Sequence, residues 1–160
     1  MKKILLGSLI LVGFISISLA QKTGDLRIGA GLIYGTELEE AGININAEYL
    51  LTEKISLAPS YSIFFVPDPV SYNVLNIDGR YYFLSGSSQV YGLLGFANAT
   101  STIDFFGSKI RARDSGLNIG GGALFPLNDT FGINAQMKYS TPGDGQLVLQ
   151  GGIVYTIKTK

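Results

Sequence analysis

Four charged residues stand at alternate positions within otherwise uncharged, β-prone stretches: Arg27, Glu48, Asp78 and Arg80. Such residues either line a charge-selective passage or neutralise one another as ion pairs in a closed interior. A second grouping joins Phe105 and Phe106 to Lys109, Arg111 and Arg113. Aromatic anchors beside cations suit interface anchoring, or recognition of phosphate or carboxylate, which arginine can hold bidentately. A third grouping, Glu37, Glu39 and Glu40, has the ligand type for Ca²⁺ or for basic groups bridging surface lipids. Its simpler reading is a loop made acidic for solubility.

Catalytic chemistry is poorly supplied. The 160 residues contain no His and no Cys. That removes the commonest general base and metal ligand, any thiol nucleophile and any disulfide framework. Without His, a Ser–His or Asp–His mechanism is excluded by composition. Gly29-Ala30-Gly31 and Gly120-Gly121-Gly122 are no phosphate loops, because neither opens a helix. No catalytic residue, metal or cofactor is therefore expected. Zero net charge and 15% charged residues leave no electrostatic footprint for nucleic acid.

The elements that position these groups are strands. Residues 1–20 read as a secretory signal peptide cleaved after Ala20, with Lys2 and Lys3 before the apolar run Ile4 to Ile17 and Ser18-Leu19-Ala20 at the cleavage site. Residues 21–160 then form one domain. From residue 25 the hydrophobic period is two, and eight alternating segments follow. Leu26, Ile28, Ala30, Leu32 and Tyr34 oppose Arg27, Gly29, Gly31 and Gly35; Ile43, Ile45, Ala47 and Tyr49 oppose Asn44, Asn46 and Glu48. Leu75, Ile77, Tyr81 and Phe83 oppose Asn76, Asp78, Arg80 and Tyr82, and the later segments repeat the pattern. In the fifth, Val90, Leu94 and Phe96 are assigned to the outer face. Pro59 falls mid-strand in the third, where a bulge near Ala58-Pro59 would accommodate its missing N–H.

The connections alternate between compact turns (Thr52-Glu53-Lys54, Ser85 to Gln89, Pro126 to Asp129) and a second set, Gly35 to Gly42, Val66 to Val70, Asp104 to Arg113 and Thr141 to Gly145. Short turns at one end and mostly longer loops at the other describe an eight-stranded antiparallel up-and-down transmembrane β-barrel. The apolar face carries nearly all the large side chains and no charge. A cation there would cost roughly 2–4 kcal/mol near the midplane of a bilayer. Aromatics near both strand ends fit two interface girdles.

Leu117-Asn118-Ile119-Gly120-Gly121-Gly122-Ala123-Leu124-Phe125, Phe131 to Ser140 and the closing Gly151 to Ile157 carry a resemblance. Over roughly residues 25 to 157 the chain resembles the small outer-membrane β-barrel family typified by the OmpA transmembrane domain and OmpX, a porin-family barrel of the Gram-negative cell envelope. The family usually ends on an aromatic residue; here Ile157 takes that place and Lys158-Thr159-Lys160 follows. The resemblance implies outer-membrane localisation, insertion by the outer-membrane machinery, and lipid partners, lipopolysaccharide among them.

Two functions of different class follow. One is a non-enzymatic, monomeric barrel with a structural or loop-mediated surface role, its contact surface at Phe105, Phe106, Lys109, Arg111 and Arg113. The other is a narrow pore for ions or small solutes. Strand counting places Arg27, Glu48 and Arg80 at one level, with Glu48 in reach of an arginine. It sets Asp78 slightly higher and Lys138 far away, near the loops.

Overall fold

The computed structural model describes residues 22–105 and 108–159, the side chain of Phe105 excepted; the signal peptide read at residues 1–20 lies outside the described residues. The strands are β1 (Leu26–Gly35), β2 (Glu40–Leu50), β3 (Ile55–Phe64), β4 (Val70–Leu84), β5 (Gln89–Phe105), β6 (Ser108–Pro126), β7 (Phe131–Ser140) and β8 (Gln146–Ile157). Each pairs antiparallel with the next, and β8 returns to β1, so the sheet closes into a barrel. Closure gives the membrane-spanning backbone its hydrogen-bond partners without an open sheet edge.

Alternation fixes which way each side chain points, and the barrel is inverted relative to a water-soluble one. Leu32, Leu94 and Ile119 are 68%, 64% and 61% exposed on the outside, whereas Arg27, Glu48, Asp78 and Arg80 are buried within. An apolar belt running around the whole wall requires hydrocarbon as its solvent. In β5, Val90, Leu94 and Phe96 face out, while Tyr91, Leu93, Ala97 and Ala99 face in. Tyr34, Phe65 and Tyr139 are exposed near the loop end; Tyr49, Tyr81, Phe125, Phe131 and Tyr155 are exposed near the turn end.

Three local features differ from the sequence reading. The first connection is tighter than Gly35 to Gly42, because Gly35 pairs with Glu40 and only Thr36 to Glu39 remain as a turn. Glu39 closes it with φ of 54°. Asp104 to Arg113 is no loop: β5 runs to Phe105 and β6 starts at Ser108, with Ile103 opposite Ile110 and Asp104 opposite Lys109. Charged and glycine residues disguised a strand pair whose β-branched cross-strand partners hold it.

The third difference is Pro59, which needs no bulge. It stays opposite Ile77 on the β4 side. On the β2 side the pairing lapses between Asn46–Ser60 and Tyr49–Leu57 and resumes in the same register. One lost ladder bond costs less than a one-residue slip, which would turn every following side chain to the wrong face. A bulge does occur in β4, where Tyr82 meets Tyr91 but Leu84 meets Val90. The extra residue turns both Phe83 and Leu84 outward beside the short turn.

Candidate functional site: a closed lumen and a projecting hairpin

The lumen is layered. Nearest the short turns, Arg27 faces Glu48 directly across the β1–β2 pair, and Ser56 faces Arg80 across β3–β4. Glu48 thereby becomes the centre of a buried network. Its Oε2 lies 3.5 Å from Arg27 Nη1 and 3.1 Å from Arg80 Nη1. Its Oε1 accepts from the Tyr82 hydroxyl at 2.6 Å and from the Ser56 hydroxyl. Arg27 also donates to Gln89 Oε1 at 2.9 Å, and Arg80 to Gln136 Oε1 at 2.9 Å. The Arg80 guanidinium lies 4.6 Å from the centre of the Tyr91 ring. Each guanidinium thus bridges Glu48 and a glutamine, and Arg80 also lies over the Tyr91 ring, so side chains occupy this layer.

Asp78 shares no hydrogen bond or salt bridge with that network among the described residues. It pairs with Lys138, Nζ to Oδ2 at 2.9 Å, and accepts from Asn118 Nδ2 at 2.7 Å. Lys138 is thus not isolated near the loops, as strand counting had it. The hydrogen-bond rungs run from Lys138 to Gly120, on to Leu93 and then to Arg80, which stands one inward position from Asp78. Tilted strands make these rungs oblique to the barrel axis, so equal counts from the turns are not equal heights.

Above the ion pairs lies a layer that the sequence reading missed. Ile33, Phe64, Val74, Ala97, Ala99 and Val148 form a buried apolar cluster, with Leu38, Val66 and Tyr72 packed on it. Phe64 and Tyr72 meet edge to face with centroids 5.7 Å apart. The signal was present: apolar residues at inward positions close to the loops. The reading also passed over Gln89, which was counted in a turn and instead opens β5, and Tyr91, whose hydroxyl donates to Asn134 Oδ1 at 2.9 Å.

Chemically, this interior pairs its charges with one another. Near the short turns a cavity of about 30 Å³, lined by Asp25, Arg27, Gln89 and Phe131 among others, is large enough for about one water. Among the described residues no grouping of Asp and Glu is placed to hold a metal ion. Glu37 and Glu39 lie in the exposed first turn, and Glu40 opens β2.

Outside the lumen, β5 and β6 are 17 and 19 residues long, against 10 for β7. The β6–β7 pairing ends at Asn118–Ser140. Residues Ser108 to Ser115 therefore project beyond the wall, paired with β5 and exposed. Lys109 lies 3.9 Å from Asp104, both exposed, while Arg111 and Arg113 have no ion-pair partner among the described residues. Phe106 lies outside the described residues, as does the side chain of Phe105.

The sequence profile described as outer membrane protein beta-barrel domain matches residues 8–150. No curated protein matches in sequence. Among solved structures, the chain is similar to the N-terminal β-barrel domain of Pseudomonas aeruginosa OprF. The identity is 23% and the TM-score 0.70, over 86% of this chain and 100% of that one. It is also similar to the attachment invasion locus protein Ail of Yersinia pestis in complex with the heparin analogue sucrose octasulfate (18%, TM-score 0.65, 86% and 100%). Pseudomonas aeruginosa OprG is a third (15%, TM-score 0.67, 88% and 99%). At these identities the likeness is one of fold.

Proposed function

The chain belongs to the family of outer membrane protein β-barrel domains, and from that premise we propose that it works in the bacterial outer membrane without catalysis or conduction, as a structural barrel making surface contacts through its projecting hairpin. The observation that carries this reading is the β5–β6 hairpin itself. Its β6 strand extends beyond the end of β7, while β5 stays paired with β4 as far as Val70–Ile103, and it presents Lys109, Arg111 and Arg113 to the exterior. The layered lumen supports the other half of the reading. Ions and water would have to displace both the Glu48 network and the apolar layer around Phe64. Absence of His and Cys from all 160 residues supports a non-enzymatic role.

In this reading the partners are anionic surface molecules and the lipids of the membrane, and the barrel is a monomer delivered by the outer-membrane insertion machinery. The Ail complex with a polysulfated sugar is a precedent for polyanion binding on this fold. Against the pore alternative stands the buried apolar cluster of Ile33, Phe64, Val74 and Val148 above the ion pairs. The test is a hairpin exchange combined with planar-bilayer recording. Replacing residues 104–113 by a neutral hairpin abolishes polyanion binding while the barrel stays folded, and the wild type gives no stable single-channel current. Retained binding, or steady currents, overturns the corresponding half of the proposal.

A further inference from the structure

The β5–β6 register is unbroken from Gln89–Leu124 to Phe105–Ser108. With no bulge to reset it, strand alternation carries up the hairpin unchanged. Lys109, Arg111 and Arg113 therefore share a face with Leu117 and Ile119, which point into the hydrocarbon. On β5 the same outer face carries Thr100 and Thr102, paired with Arg113 and Arg111, and Asp104, paired with Lys109. The axis-facing side carries Ala99, Ser101, Ala112 and Asp114, without a cation. All the positive charge of the hairpin is thus turned sideways, over the membrane rim.

Height agrees with direction. From Phe125, in the girdle at the turn end, to Arg113 the strand climbs roughly 30 Å along the membrane normal, taking ~3.3 Å per residue and a tilt of ~40°, while the apolar band is ~25 Å tall. Arg113 consequently stands just above the hydrocarbon edge, with Arg111 about 5 Å and Lys109 about 10 Å higher. The headgroup phosphates of neighbouring lipids lie within side-chain reach of the two arginines, and Lys109 stands above them, adding charge to the same face.

We propose that Lys109, Arg111 and Arg113 form a docking face for the phosphate-bearing headgroups of lipids packed against β5 and β6. The proposal deepens the contact-surface reading above and rests on it. Arg111 and Arg113 have no carboxylate partner among the described residues, so their guanidiniums are available for bidentate phosphate contacts. The Thr100 and Thr102 hydroxyls across the pair add neutral donors. Asp104 is half-exposed and 3.9 Å from an exposed Lys109, too loose and too solvated to neutralise the face. Below it, Leu94, Phe96, Leu117 and Ile119 offer continuous apolar wall to the acyl chains of the same lipids.

The test uses the full chain in phosphatidylcholine vesicles, with spin-labelled phosphatidic acid and spin-labelled phosphatidylcholine as alternative probes. The motionally restricted fraction gives the relative association with the barrel. The wild type is expected to prefer phosphatidic acid, and the K109Q/R111Q/R113Q variant to lose that preference, by roughly fivefold per cation removed. Exposure of all three residues keeps the fold, checked by heat-modifiable migration on gels. Calorimetric titration with sucrose octasulfate separates the two readings. If the variant keeps its phosphatidic acid preference but loses sucrose octasulfate binding, the lipid assignment falls and the contact-surface reading stands. If the variant matches the wild type with both probes, both readings fall.

Discussion

Lys138 Nζ stands 2.9 Å from Asp78 Oδ2, although the whole of β5 and β6 separates their strands along the wall. The pair spans the lumen and is buried at both ends. Breaking a buried pair from one side leaves a charge without compensation and costs about 3–5 kcal/mol, whereas removing both partners costs far less. Asp78→Asn is therefore expected to lower stability by about that amount, measured by urea unfolding in lipid vesicles. The Asp78→Asn/Lys138→Met double variant recovers much of it. Equal losses in the single and double variants would show that the pair is not coupled.

Neighbouring glycines of β8 predict opposite outcomes. A Cβ on Gly152 would point inward and meet the Ala30 carbonyl oxygen at 2.5 Å; a Cβ on Gly151 would point outward and meet nothing within 4 Å. Gly152→Ala is expected to destabilise by about 1–3 kcal/mol, through overpacking against backbone that cannot yield. Gly151→Ala is expected to be neutral or to stabilise by up to ~1 kcal/mol, since strand glycine carries an entropic cost. The same unfolding assay ranks them, and a reversed order contradicts the assigned faces.

Ile45 is 60% exposed on the outer wall, in the middle of β2. Ile45→Arg places a cation in hydrocarbon, and the expected loss is ~2–4 kcal/mol in a bilayer. The check is folding yield and urea midpoint in phosphatidylcholine vesicles. An unchanged midpoint would remove the membrane assignment of that face.

Glu48→Gln keeps the size of the side chain but takes the carboxylate away from Arg27, Arg80, Ser56 and Tyr82. Stability is expected to fall by about 3–5 kcal/mol, as for other buried pairs broken from one side. No stable current is expected from this variant, because the apolar cluster of Ile33, Phe64, Val74 and Val148 above is left intact. Planar-bilayer recording of this variant decides the matter. Stable currents would mean that the ionic layer alone seals the barrel.

What the sequence by itself determined was the inside and the outside. A period of two is a local property, so Arg27, Glu48, Asp78 and Arg80 could be assigned to the lumen, and Leu32, Ile45 and Leu94 to lipid, residue by residue. Strand number followed from the same alternation, whereas the expected longer connections at one end did not: Gly35 pairs with Glu40 and Asp104 with Lys109. Only the tertiary structure decided what lies level with what. Lys138 reaches Asp78 because rungs oblique to the axis accumulate an offset around the wall, and that offset is a property of the closed sheet as a whole. The β5–β6 extension was hidden for a related reason. Its polar, glycine-containing residues have weak strand preference alone, and it is the pairing of Ile103 with Ile110 and of Asp104 with Lys109 that makes them a hairpin. Phe64 and Val148 were legible as apolar, but that they join one buried cluster depends on strands that are not neighbours in the chain.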